Sequence, residues 1–381
     1  MKSNSVRPLV VTSFVLMFSS AMVWSTAATP SNPQSCGPKW TFVPSPNGSS
    51  GSDLNGVAAL GRTDAWAVGA EPLATDPFIQ RWDGTAWKFV ADPPAQSLGL
   101  TDVAAVASDD VWAVGGASST IGGPLIEHWN GTSWALEPGP SMSGGYLQGV
   151  SAVSASDVWA VGLNFAAVNE TVAEHWNGST WIRVSTPDPG SEDNSLEGVA
   201  AVAANDVWAV GWFGAPSGND QTLVLHWNGT TWSIVPSPNV GSETNRLFGV
   251  TAAGPTDLWA VGEYYVSGQS RTLAMRWDGS TWTVSPTPSK VPGTNRLLEA
   301  AVAANGQVWA VGYYEDARAH SFPISLRWDG ATWTLFKGTL TAGSTGSFRD
   351  VAASPDGDLW AVGQFRGSSG TDKTLTERLC P

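Results

Sequence analysis

Cysteine is nearly absent from this chain: Cys36 and Cys380 are the only two in 381 residues. A disulfide-dense scaffold is therefore excluded, and one internal bridge is the most that can form. Histidine is almost as scarce, with four residues, three of which (His128, His175, His226) sit at the same place in three copies of a repeat. That leaves too few for a His-built metal centre, so neither metal nor cofactor is expected. Charge is thin as well, at 14% of residues, and 33 acidic residues outnumber 19 basic ones for a formal net charge of −14. With no basic stripe, nucleic acid and anionic lipid are poor partners.

Long apolar runs are also missing, apart from one near the N-terminus. Lys2 and Arg7 precede an apolar stretch from Leu9 to about Val23, followed by Ser25-Thr26-Ala27-Ala28. This reads as a secretory signal peptide over residues 1–28, and a mature domain over 29–381. Nothing later approaches the roughly 20 apolar residues that cross a bilayer, so no membrane insertion is expected after cleavage.

What the chain has in quantity is glycine (42) and tryptophan (22), arranged in a repeat. Trp-Ala-Val-Gly begins at Trp66, Trp112, Trp159, Trp208, Trp259, Trp309 and Trp360, at steps of 46 to 51 residues. In the fourth copy the β-type runs are Leu196 to Val202, Asp206 to Gly211, Thr222 to Trp227 and Trp232 to Val235. Four such runs per copy make one four-stranded blade, with strands a to d in chain order. Strands c and d are joined by Asn228-Gly229 here and by equivalent Asn-Gly or Asp-Gly pairs elsewhere, residues that accept positive φ in a tight hairpin. The expected fold is all-β: a seven-bladed β-propeller.

Twenty of the 22 Trp fall at three fixed places in the repeat, where they are expected to fill the gaps between blades. Around the Trp before the hairpin, Arg on one side goes with Asp on the other (81 and 83, 276 and 278, 327 and 329), and His goes with Asn (128 and 130, 175 and 177, 226 and 228). Residues two apart share a face of a strand, so these are expected to pair directly. Trp40 to Pro46 matches a strand d with no a to c before it, while the C-terminal repeat stops after c at Leu379. The first segment is expected to complete the last blade, with Cys36 and Cys380 joined by a disulfide where the missing hairpin would be.

A Trp-Ala-Val-Gly strand followed by a Trp-Asp-Gly-x-x-Trp hairpin resembles the kelch repeat, and also the Asp-box repeats of sialidase-type and photosystem II assembly-factor-type propellers. The resemblance covers about residues 36 to 380 and implies the architecture. Asp278 and Gly279 are adjacent, where the Asp-box has one residue between them. The Arg-Ile-Pro segment of sialidases is absent, and four His cannot rebuild the copper site of galactose oxidase. The resemblance therefore implies no reaction.

Function is expected on the b–c and d–a loops, which vary most between copies. At the start of three consecutive b–c loops stand aromatic pairs, Trp212-Phe213, Tyr264-Tyr265 and Tyr313-Tyr314, beside the acids Glu263, Glu315 and Asp316. One ring of each pair is expected to enter the blade interface and the other to face the loop surface, forming a candidate platform for a sugar or peptide. The reading is a secreted, non-catalytic binding propeller for a glycan, cell-wall polymer or extracellular protein. The alternative is a glycoside hydrolase or lyase using two loop carboxylates at the channel mouth, from among Glu170, Glu192, Asp193, Asp220, Glu243, Glu263, Glu315 and Asp316. A structural surface-layer module is the third possibility.

Overall fold

The computed structural model describes Met1 and residues 37–48, 51–71, 77–93, 97–117, 123–142, 144–290, 293–367 and 370–380. Residues 2–36, which hold the rest of the signal-peptide segment and Cys36, lie outside the described residues. The regular elements among those described are 28 β-strands. In the fourth repeat, strands a (Asn194–Ala203), b (Asp206–Gly214), c (Asp220–Trp227) and d (Trp232–Ile234) pair antiparallel in that order. Strand b carries Val207 to Gly211 buried on both faces, because a blade in mid-stack has neighbours on each side. This is why the tetrapeptide is continuously apolar instead of alternating. The c–d turn closes as its chemistry requires: Gly229 has φ of 93°, and Asn228 Oδ1 accepts the N–H groups of Thr230 and Thr231 at 2.9 and 3.0 Å.

The a strands of successive repeats lie side by side, and that of the seventh, Thr345–Ala353, lies against that of the first, Asp53–Gly61. The short strand Thr41–Phe42 pairs with the last strand, Asp372–Leu379, placing Thr41 opposite Arg378 and Phe42 opposite Glu377.

Tryptophan fills the seams between adjacent sheets. Trp159, 1% exposed, meets Trp227 and Trp232 of the next repeat with ring centroids at 5.0 and 5.3 Å. Trp66, Trp112, Trp208 and Trp259 meet the two hairpin Trp of their next repeats in the same way. Trp360 meets Trp82 and Trp87 of the first repeat.

The Arg/Asp and His/Asn pairing expected around the pre-hairpin Trp is not what forms. Arg81 forks onto Asp64 at 2.8 and 2.9 Å, Arg276 onto Asp257, and His128, His175 and His226 bond Asp110, Asp157 and Asp206. The partner is thus the Asp two residues before the motif Trp, across the b–c ladder. Asp83, Asn130 and their equivalents instead accept the hairpin's own N–H groups. Each Arg or His also lies over the motif Trp, as with Arg81 at 4.8 Å from Trp66 and His128 stacked at 4.0 Å on Trp112.

Glu127 shares its place in strand c with Gln80, Glu174 and Glu377 of other repeats. It is 0% exposed, neither carboxylate oxygen accepts a hydrogen bond from a described residue, and burial, then the nearby Asp92 charge, pushes its pKa up to about 8. Three of the equivalent positions, two before the pre-hairpin Trp, hold Leu225, Met275 and Leu326, so the blade accepts an apolar side chain there. Glu127→Leu is expected to raise stability at pH 8 by about 1–3 kcal/mol, and by less at pH 5, in paired thermal melts. An unchanged or lower melting temperature at pH 8 would show that the carboxylate is compensated.

Candidate functional site

Strand register shows that the three aromatic pairs are not equivalent. Counting from the tetrapeptide Gly, Trp212, Glu263 and Tyr313 occupy the first position, and Phe213, Tyr264 and Tyr314 the second. The second-position rings all pack into the apolar clusters between sheets, with Tyr314 also stacked on Phe322 at 5.1 Å. Tyr265 stands one step further along, opposite Ser270.

The first-position residues are organised by two arginines of strand a. Arg246 lies 4.9 Å over the half-buried Trp212 ring and bonds Asp220, while Trp212 Nε1 donates to Glu197 Oε1 at 2.9 Å. Arg296 donates to Glu263 Oε2 at 2.8 Å and to the Tyr313 hydroxyl at 3.3 Å, and burial raises the Tyr313 pKa. Glu263 is 0% exposed and also accepts from Ser270. It is therefore held in an ion pair and does not face the loop surface.

The loop acids are largely committed to local structure. Glu243 accepts the N–H groups of Ser267 and Gly268, Asp193 that of Asn169, and Asp316 those of Arg318 and His320. The backbone N–H of Glu315 donates to Thr294 O. Glu192 makes no side-chain hydrogen bond or ion pair with a described residue. With Asp193, Trp212, Asp220 and Arg246 it lines a surface cavity of about 380 Å³.

Sequence reasoning missed the channel. In strand a, one residue after the apolar Leu54, Leu100, Leu147, Leu196, Leu247, Leu297 or Phe348 is skipped in the pairing register, a β-bulge. The skipped residues, Asn55, Thr101, Gln148, Glu197, Phe248, Leu298 and Arg349, line a cavity of about 220 Å³, one from each repeat. The signal was available: it is the most variable position of strand a, always flanked by an apolar residue and by Gly, Asp or Glu.

Where that second flank is acidic, the carboxyls of Asp102, Glu299 and Asp350 share the channel wall. Asp102 Oδ2 accepts the N–H of Val150, and Asp350 Oδ2 that of Val57, each from another repeat. Burial pushes Asp102 up to about 6, and burial with the Asp102 charge pushes Asp350 up to about 8; Glu299 is raised by burial and by Asp350. In the unfolded chain such groups titrate near 4. The folded state therefore holds more protons between about pH 4 and 8, and stability falls as pH rises through that window. The turn carboxylates Asp278 and Asp316 are lowered by hydrogen bonds and act oppositely, their stabilisation being lost as pH falls below about 4. The expected melting temperature is highest near pH 5 and several degrees lower at pH 8.5, and Glu299→Gln flattens the slope. A melting temperature that rises from pH 5 to 8.5 would contradict the assignment.

Comparison with solved structures identifies the fold class. A structure of YCF48 bound to D1 peptide superimposes with a TM-score of 0.56 at 14% identity, covering 93% of this chain and 99% of that one. YCF48 from Cyanidioschyzon merolae gives 0.53 at 14% identity, covering 89% and 98%. A variant of the Aleuria aurantia lectin in complex with Fucalpha1-6GlcNAc gives 0.50 at 11% identity, covering 79% and 100%. The chain is an all-β protein of the β-propeller class. No protein-family model matches it, and no curated protein is similar to it.

Proposed function

We propose that the chain is a secreted, non-catalytic binding propeller of seven blades, closed by its N-terminal strand, with a repeat of kelch-like or Asp-box-like kind. It recognises an extracellular glycan or protein through the face formed by its b–c and d–a loops. The observation that carries this reading is the cavity beside Trp212, where an aromatic ring, an Arg–Asp pair and the unengaged Glu192 converge on one loop cluster. Solved propellers of similar fold include one bound to a peptide and a lectin in complex with fucosides, so this architecture accommodates either ligand class. The enzymatic alternative is weaker, because Glu263, Glu243 and Asp316 are tied into ion pairs or turns.

The test is retention of the purified mature protein on glycan and peptide arrays. Trp212→Ala is expected to abolish most retention while shifting the melting temperature by only a few degrees. Tyr264→Ala, in the interface, is expected to lower the melting temperature more and retention less. Retention indifferent to Trp212→Ala would move the site elsewhere. Export is checked by sequencing the secreted protein's N-terminus, expected near residue 29.

A further inference from the structure

Gly214 stands opposite Asp220 in the fourth repeat, and Arg366 opposite Asp372 in the seventh. Both stations lie three residues beyond the tetrapeptide Gly, and each carries a surface cavity, of about 380 Å³ at the fourth repeat and 470 Å³ at the seventh. Each cavity is lined by an Arg–Asp pair. In the seventh repeat Arg366 forks onto Asp372, Nε to Oδ1 at 2.8 Å and Nη2 to Oδ2 at 2.5 Å. In the fourth the residue facing the Asp is glycine, and the guanidinium comes instead from Arg246 of the next repeat, Nε to Asp220 Oδ2 at 2.6 Å. The same charge pair is thus built twice, from different sequence positions. The corresponding stations of the fifth and sixth repeats pair Tyr265 with Ser270 and Glu315 with Ser321 and lack it.

An arginine neutralised by its own aspartate is a poor anion site, and the aspartate a poor cation site. Together they still offer fixed N–H donors and carboxylate lone pairs side by side, which suits hydroxyls that both donate and accept. Trp212 and Phe365 add an aromatic wall to the respective cavities, against which the C–H face of a sugar can lie. A net charge of −14 disfavours polyanionic glycans. We propose that these two cavities bind neutral pyranose units of one polysaccharide, so that the propeller grips the polymer at two points. This rests on the reading that the b–c face binds ligand, and it names the ligand class and a second site.

The test uses the mature protein with dextran, xylan and galactomannan as neutral polysaccharides, heparin as a polyanion, and a peptide array. Two substitutions address the cavities. Trp212→Leu removes one wall; Gly367→Trp plugs the other, since a Cβ there meets nothing within 4 Å and its φ is ordinary. Melting curves confirm folding. At least one neutral polysaccharide is expected to be retained, each single substitution to lower its apparent affinity by roughly 10- to 100-fold, and the double to abolish retention. Polysaccharide retention that survives both substitutions overturns the two cavities but leaves the binding function standing. Retention of heparin or peptides alone overturns the ligand class. Retention of nothing overturns both this inference and the reading beneath it.

Discussion

Replacing Trp159 with Ala is expected to destabilise the protein by about 3–5 kcal/mol, the range for emptying a buried aromatic site. Trp159 is 1% exposed and sits where three other rings converge: Trp227 at 5.0 Å, Trp232 edge-on at 5.3 Å, and His175 stacked at 4.3 Å. These neighbours hang from paired strands, His175 opposite Trp159 and Trp227 opposite Trp232, so they cannot collapse into the void without breaking those ladders. His175, already bonded to Asp157, would lose its stacking partner, which also disturbs the b–c hydrogen bond. For a domain of this size the loss corresponds to a melting temperature lower by on the order of 5 °C. The same substitution at Trp66, Trp112 or Trp259 should cost a similar amount, because each meets two rings of the next repeat. Trp212→Ala, at a half-buried ring off this register, should cost much less. Equal losses at Trp159 and Trp212 would mean that seam packing is not the source of stability.

The blade pattern was legible because it is local: tetrapeptide, hairpin dipeptide and flanking Trp lie within about 25 residues of one another in each copy. The side-chain pairs were misread for the same reason. Arg81 and Asp83 are near in sequence, but the ladder that places Arg81 opposite Trp66 brings it to Asp64, 17 residues away. Each aromatic pair puts one ring into a seam as expected, Phe213, Tyr264 and Tyr314, but adjacency was taken for equivalence between the pairs. Glu263 shifts the fifth repeat by one, so Tyr264 shares the inward position of Phe213 and Tyr314, and Glu263 that of Trp212. The channel was overlooked because a bulge reverses the expected face: period-two alternation holds along strand a only up to the skipped residue, whose variability between repeats was the one signal left. The cavity of the seventh repeat gave no signal at all, since Arg366 and Asp372 read as two unrelated loop charges until the register set them face to face.

We propose that Cys36 and Cys380 are bridged, and Cys380→Ser is expected to lower stability by as much as about 5 kcal/mol. The N-terminal strand is a weak clasp by itself, for Thr41 and Phe42 are its only ladder residues. Around them Val43 N–H donates to Thr376 O at 2.9 Å, Trp40 Nε1 to Ser325 Oγ at 2.9 Å, and Cys380 N–H to Gly37 O at 3.1 Å. Cys36 precedes Gly37 directly in the sequence, so the chain reaches Cys380 within one residue of it. A covalent tie there closes a loop of more than 300 residues, for which the lost entropy of the unfolded chain is near its largest. Without it, the last sheet can shed its outer strand and uncover Trp40, 6% exposed and packed at 5.6 Å on Trp309. Cys36→Ser should reproduce the loss, and the double substitution should add nothing further, which separates a bridge from two independent packing defects. Alkylation of the unreduced secreted protein in denaturant should label neither cysteine, and after reduction both. Labelling of both without reductant, or a reductant-insensitive melting curve, would overturn the bridge and leave closure to the strand pairing alone.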